Sequence, residues 1–231
     1  ESKFLHLKKD LNIINEIKGI AFVLMLIHHM FYFYDVSKDY KTQYSKNTII
    51  QICGIISRHI FILLVGINIF LQYSNNNNIY NNILNLSTFK LLLSCIIISL
   101  STYIVHPKYW IRFGVLHFIL FSSIIGKIFS NMPNISFILS IIIYLFTDVL
   151  ESKNINNVID IITGAAGGKY YMMDYFPFFK WFPYVLLGIW SGKYIIINIK
   201  DIQFKTFLSY IGKNSLFLYV IHILILMFIY N

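Results

Sequence analysis

The feature that most constrains this chain is its first hydrophobic stretch, Ile17 to Tyr34, which is followed directly by Asp35. Its length approaches the roughly 20 apolar residues with which a helix crosses a bilayer. The stretch nevertheless contains two adjacent histidines, His28 and His29. Because ionisable side chains are costly inside a membrane, an apolar helix that retains two of them predicts a functional site.

The composition extends the membrane interpretation to the whole chain. Of the 231 residues, 57% are hydrophobic and 13% are charged, and the mean hydropathy is +0.66. One soluble core of this length could not bury so much apolar surface. The formal net charge of +9 does not indicate nucleic-acid binding, because the basic residues lie scattered at the ends of apolar segments, as interfacial anchors do. The composition therefore predicts an integral, multi-pass protein of the lipid bilayer with no nucleic-acid partner.

Seven apolar segments can be recognised along the chain, at residues 17–34, 49–73, 86–105, 111–129, 135–150, 181–197 and 207–230. They are continuous and too long for the alternating strands of a membrane β-barrel. We therefore predict an all-α, polytopic helical bundle with about seven transmembrane helices, forming a single domain over residues 1–231. The chain begins with Glu rather than Met, which is compatible with a fragment. The oligomeric state stays open, and a homo-oligomer is one of the states allowed.

The distribution of lysine and arginine does not orient the bundle, but counting seven crossings gives a relative sidedness. The His28–His29 end of the first segment, the Arg112 end of the fourth and the loop 151–180 then lie on the same membrane face. That loop contains Asp174. We expect these polar residues to gather in one water-accessible chamber, although they are far apart in the sequence.

The first candidate site residue is His29. Imidazole titrates near neutral pH and can accept a proton from an attacking hydroxyl or amine. Since adjacent helical residues point about 100° apart, at most one of His28 and His29 is expected to face the bundle interior. Asp35 could orient the imidazole or could cap the end of the helix.

The fourth segment contains Arg112 and His117. An arginine guanidinium is suited to bidentate binding of phosphate or carboxylate, although at this position it could also extend to the membrane interface. We expect His117 to face a cavity or a partner. Asp174 lies in an aromatic, proline-braced segment before the sixth helix, where it is either a positioned acid or a helix cap.

The last segment carries a polar stripe of Ser215, Tyr219 and His222, which are spaced to share one helix face. The stripe either binds a ligand or forms hydrogen bonds between helices. Asn214 precedes it and could cap the helix. The seven histidines and two cysteines show no zinc-ligand spacing, so no metal is predicted.

Five sequence blocks carry a resemblance to a known family. In order they read I-K-G-I-A-F-V-L-M-L-I-H-H, F-I-L-L-V-G-I-N, I-R-F-G-V-L-H-F, D-Y-F-P-F-F-K-W-F-P-Y-V-L-L-G-I-W-S-G and I-G-K-N-S-L-F-L-Y-V-I-H. They resemble the heparan-alpha-glucosaminide N-acetyltransferase-like family of membrane acyltransferases, and the last three blocks together are the specific part. The resemblance implies transfer of an acetyl group from acetyl-CoA to an amine or hydroxyl of a sugar or glycan acceptor. Donor and acceptor would approach from opposite membrane faces.

The resemblance also implies site residues, because several polar positions coincide with family motif positions. These are His29, Arg112, His117, Asp174, Asn214, Ser215 and His222. In the resulting hypothesis His29 is a general base or a transient acyl carrier, and Asp174 or Asp35 orients it. Arg112 and His117 bind the acyl-CoA phosphates or stabilise the oxyanion, while the remaining residues contribute to binding of substrate or acyl-CoA.

Two alternatives remain beside the acyltransferase. A non-enzymatic transporter or flippase for a small polar or lipid-linked solute would line its path with the same side chains. A family member that has lost catalysis would keep the motifs without turnover. Acetyl transfer to a glucosamine-type acceptor distinguishes the enzyme from both alternatives.

Overall fold

The computed structural model describes residues 12–39, 41–75, 86–151, 157–164, 172–198 and 206–230. Within these ranges all regular elements are helical, which confirms the all-α prediction. The α-helices are α1 (Asn12–Ser37), α2 (Thr48–Asn75), α3 (Leu86–Val105), α4 (Val115–Ile128), α5 (Pro133–Glu151), α6 (Asn157–Thr163), α7 (Phe178–Asn198), α8 (Phe207–Lys213) and α9 (Ser215–Ile229). A short 3-10 helix, Tyr44–Lys46, lies between α1 and α2.

Three of these helices, α1, α2 and α3, are long and apolar enough to cross a membrane. A fourth span results if the bent pair of α8 and α9 is counted as one, while α4 and α5 are shorter apolar helices. The seven predicted segments are thus helical over most of their length. In a bilayer this follows from the need to satisfy backbone groups within each segment, since lipid offers no hydrogen bonds.

The fourth segment starts later than predicted, at Val115 rather than at residue 111. The backbone before it is committed elsewhere, because Ile111 N donates to Thr102 Oγ1 (3.1 Å) and Phe113 O accepts from Phe176 N (3.1 Å). Arg112 therefore lies in the connection before α4, and the expectation that it shares a helix with His117 was wrong.

The last predicted segment is not one helix, because α8 and α9 meet at Asn214 with a bend of 84°. Asn214 leaves the helical conformation with a ψ of 15°, and its side-chain Nδ2 donates to Tyr210 O at 3.0 Å. The predicted cap of the following helix is not formed by this side chain. Asn214 instead closes the end of α8.

The described part of the chain forms two compact units. The central unit contains the described residues of the range 62–199, and the terminal unit contains those of 9–61 and 200–231. The helix α2 contributes residues to both units. The expectation of a single domain over the whole chain stays a prediction.

The central unit is built around close contact between α2 and α7. A Cβ atom added to Gly66 would lie 2.0 Å from Val185 O, and one added to Gly188 would lie 2.3 Å from Leu63 O. Small residues of this kind let two helix backbones approach closely, which favours packing in a membrane. Beside this crossing Val185 and Phe118 are fully buried in the core.

The terminal unit uses the same device between α1 and α8. A Cβ atom on Gly19 would lie 2.1 Å from Leu208 O, and one on Gly212 would lie 1.8 Å from Asn15 O. Thr206 adds a hydrogen bond from its hydroxyl to Glu16 Oε1 at 2.9 Å. These contacts hold α8 against α1, and the bend at Asn214 then determines where α9 begins.

Candidate functional site

In the terminal unit, α1 and α9 bring two histidines into direct contact. His29 Nδ1 lies 2.9 Å from His222 Nε2, and the two rings are nearly parallel at an angle of 12°. His222 is 7% exposed, whereas His29 is half-buried. Two predicted site residues that are 193 positions apart thus form one hydrogen-bonded pair.

Aromatic rings enclose this histidine pair on the α1 and α9 sides. Phe22 meets the His222 ring at 85° with the centroids 5.5 Å apart, and Tyr219 meets it at 80° and 5.2 Å. The Tyr219 ring also meets the His29 ring edge-on, at 71° with the centroids 6.3 Å apart. Such edge-to-face contacts restrict ring rotation and add to the burial energy of the side chains. The stripe predicted on α9 is therefore directed inward at Tyr219 and His222.

The neighbouring residues His28 and Arg58 were not assigned a role from the sequence. The His28 ring packs onto Gly54 of α2, where an added Cβ would lie only 2.5 Å from His28 Cδ2. Arg58 donates from Nε to Gly54 O at 3.1 Å, and its charge acts on both His28 and His29. An arginine within an apolar segment was the available signal. Arg58 therefore places a positive charge near His29.

Asp35 lies in the last turn of α1 and is almost completely buried, at 1% exposed. It accepts hydrogen bonds from Thr42 Oγ1 (2.7 Å), Tyr44 N (3.1 Å), Ser45 N (2.7 Å) and Ser45 Oγ (2.6 Å). Carboxylates commonly organise turns in this way, by accepting from nearby backbone and hydroxyl groups. Of the two predicted roles, this geometry favours shaping the end of the helix over orienting His29.

In the central unit, Asp174 caps the start of α4. Its Oδ2 accepts from Val115 N at 2.8 Å, where the first helical N–H groups have no partner within the helix. Gly114 makes room for this contact, since an added Cβ would lie 2.5 Å from Asp174 Oδ2. Two backbone bonds, Met173 N to Tyr109 O (3.0 Å) and Phe176 N to Phe113 O, hold the connecting segments together.

His117 lies in the first turn of the same helix and uses both ring nitrogens. Nε2 is 3.1 Å from Ser99 Oγ, and Nδ1 is 3.4 Å from Gly114 N. The Ser99 hydroxyl donates to Ile111 O at 2.8 Å. The hydroxyl must therefore accept from His117 Nε2–H, and Nδ1 accepts from Gly114 N–H. The partner of His117 is thus a protein hydroxyl, and its role in binding stays a prediction.

Arg112 stacks on an aromatic ring at the end of the α3–α4 connection. Its Cζ lies 5.2 Å from the centroid of the Trp110 ring, within the range of a cation–π contact. The side chain is half-buried. The central unit thus gathers Asp174 and His117 around Gly114, with Arg112 two residues before it. The predicted chamber that would also include His29 stays a prediction.

Among the residues that the structure describes, no group of three or more His, Cys, Asp or Glu side chains is arranged to hold a metal ion. The two cysteines, Cys53 and Cys95, are not joined to each other.

Comparison with known proteins identifies the family. A family model described as heparan-alpha-glucosaminide N-acetyltransferase, catalytic, matches residues 11–224, which is nearly the whole chain. Searches of curated proteins and of solved structures find no match. The matched range contains both the histidine pair and the Asp174 cap. The chain therefore belongs to the heparan-alpha-glucosaminide N-acetyltransferase catalytic family, in agreement with the resemblance of its sequence blocks.

Proposed function

We propose that this protein is a multi-pass membrane acetyltransferase that transfers the acetyl group of acetyl-CoA to an amine or hydroxyl of a sugar-type acceptor. Family membership supports the class of reaction. The observation that carries the proposal is the His29 imidazole, which lies in an apolar helix yet is held by a second histidine at 2.9 Å. Ionisable groups persist in such helices where they have a function.

In this proposal His29 acts as the general base. It takes the proton of the acceptor amine or hydroxyl as that group attacks the thioester carbonyl. The new C–N or C–O bond forms, the C–S bond breaks, and the coenzyme A thiolate recovers the proton from the imidazolium. A positioned base contributes about 10²–10⁴-fold in rate. In a two-step variant His29 itself carries the acetyl group before the acceptor receives it.

The remaining predicted residues supply binding and charge stabilisation. Arg112 would bind the phosphates of acyl-CoA or stabilise the oxyanion that develops on the carbonyl. His117 would join it only after exchanging its bond to Ser99 Oγ for one to the ligand. Asp174 would act as a second catalytic group from its position at the start of α4. Asp35, Asn214 and Ser215 would shape the binding site of the terminal unit or contact the acceptor.

The membrane arrangement of the proposal follows the family. Acetyl-CoA and the glycan acceptor would approach from opposite faces of the bilayer, and the chain would cross it several times. Three helices already meet the length and hydropathy that a crossing needs. Homo-oligomer formation is compatible with this arrangement and can be measured by light scattering of the purified protein in detergent.

The decisive experiment measures transfer of radiolabelled acetyl groups from acetyl-CoA to glucosamine by the purified protein in lipid nanodiscs. We expect His29→Ala to lower kcat by about 10²–10⁴-fold while thermal unfolding shows a folded protein. His59→Ala is the matched control, because His59 lies in the same unit and bonds its own helix at Ile55 O. Full activity of His29→Ala would exclude the base role. Movement of solute without consumption of acetyl-CoA would favour the transporter alternative.

A further inference from the structure

The hydrogen bonds of the histidine pair determine which ring nitrogens carry protons. His222 Nδ1 lies 3.1 Å from Leu218 O, and a carbonyl oxygen can only accept, so Nδ1 carries the hydrogen. A neutral imidazole has one N–H, and Nε2 of His222 is therefore an acceptor. His29 Nδ1, at 2.9 Å, must then donate to it. This leaves Nε2 of His29 unprotonated, with its lone pair available as a base.

We propose that His222 is a positioning residue that holds His29 in the tautomer whose Nε2 is free of hydrogen. The inference rests on the proposed function of His29 as general base, and it gives His222 a role other than substrate binding. Both ring nitrogens of His222 are occupied by Leu218 O and His29, and the ring is 7% exposed. A substrate therefore finds no hydrogen-bonding atom on it.

The rigidity of the contacts around His222 makes it suited to this task. The bond from its Nδ1 to Leu218 O, one helical turn earlier, fixes the ring so that Nε2 points at His29. Phe22 and Tyr219 meet the ring edge-on at 85° and 80°. The tautomer of His29 is then determined by α9 rather than by solvent. If His29 sampled both tautomers, its Nε2 would carry a hydrogen part of the time. In that tautomer Nε2 could not accept a proton from the attacking amine or hydroxyl.

The pair also suits the charge that forms during the reaction. When His29 Nε2 takes a proton, the ring becomes an imidazolium that still donates from Nδ1 to His222 Nε2, and a charge-assisted hydrogen bond is stronger than a neutral one. In hydrolytic triads a carboxylate fills this position. A neutral imidazole tied to a backbone carbonyl provides the acceptor without placing a permanent negative charge between apolar helices.

The test combines a spectroscopic and a kinetic measurement on the full chain in nanodiscs. Nitrogen-15 NMR of histidine-labelled protein reports which ring nitrogen of His29 is protonated, with His29→Gln used to assign its signals. We compare His222→Gln, whose amide oxygen can still accept from His29 Nδ1, with His222→Leu, which cannot. His59→Leu serves as the control, because His59 makes the same one-turn carbonyl bond.

We expect His29 to keep the Nδ1–H tautomer in the wild type and in His222→Gln, and to lose it in His222→Leu. The kcat of His222→Leu should fall by about 10²-fold or more, because Nδ1 of His29 then lacks the acceptor that both holds the tautomer and stabilises the imidazolium. KM should change less than about threefold, and His222→Gln should recover most of the loss in kcat. An unchanged His29 tautomer in His222→Leu overturns the inference, whatever the activity. A changed tautomer with undiminished kcat overturns it as well. Failure of the proposed function is distinguishable, because a wild type without acetyl transfer would leave the NMR comparison intact.

Discussion

Asp174 offers a prediction in which a structural and a chemical role can be separated. Its Oδ2 accepts from Val115 N at 2.8 Å at the beginning of α4. Asp174→Asn keeps an acceptor oxygen at this position and removes the charge, whereas Asp174→Ala removes both. The two substitutions therefore measure the cap and the charge independently.

The expected magnitudes follow from the geometry of the cap. Loss of a helix cap costs about 0.5–2 kcal/mol, and a negative charge at a helix start contributes about 0.3–1 kcal/mol. Asp174→Ala should therefore lower the free energy of unfolding by about 1–3 kcal/mol and Asp174→Asn by about 1 kcal/mol or less. Since the two variants differ by the cap alone, and Tm changes by about 2–4 °C per kcal/mol for a chain of this size, the alanine variant should melt about 1–8 °C below the asparagine variant.

The assay measures thermal unfolding in detergent beside acetyl transfer, at a temperature where all variants are folded. If Asp174 acts in the chemistry, Asp174→Asn should lose about 10²-fold or more in kcat while its Tm changes little. Asp148→Asn is the control, because Asp148 is an exposed carboxylate on α5. Full activity in Asp174→Asn would refute the chemical role, and an Asn variant as unstable as the Ala variant would refute the capping argument.

Two further predictions concern packing and loop structure. Gly66→Ala should destabilise the central unit by about 1–3 kcal/mol despite a helix-propensity gain of about 1 kcal/mol, because the new Cβ meets backbone at 2.0 Å. Gly126→Ala should not, because the tight contact of its Cβ is with the side-chain end of Ile69, Cδ1 at 2.9 Å, and the other neighbours lie at ordinary distances. Equal Tm values for the two variants would contradict the close helix crossing. Asp35→Ala should speed tryptic cleavage after Lys41 and Lys46, because four hydrogen bonds to residues 42–45 are lost. Unchanged cleavage of this variant would show that the segment holds its shape without the carboxylate.

The positions of the helices could be predicted well where a segment is uniformly apolar. The predicted segment 86–105 coincides with α3, Leu86–Val105. The first two segments were found a few residues longer at their ends, as α1 and α2. A continuous apolar run has one way to satisfy its backbone in lipid, which is a helix, and this rule is local.

Two boundaries could not be predicted, because they depend on contacts from elsewhere in the chain. The start of α4 at Val115 is capped by a carboxylate 59 residues further along. The break at Asn214 lies beside Gly212, which packs against the Asn15 carbonyl of α1. A hydropathy profile detects neither contact, because it averages side-chain hydropathy over neighbours in sequence, whereas each contact joins segments that are distant in sequence.

By itself the sequence determined the membrane class, the helical composition, the family and the set of polar residues that apolar helices retain. These properties follow from composition and from motifs that are local in the chain. The tertiary structure alone decided the partners: His29 with His222 across 193 residues, Asp174 with Val115, and Asp35 with the segment that follows it. A hydrogen bond depends on distances of about 3 Å, and a sequence specifies which groups can donate or accept without specifying which of them will meet.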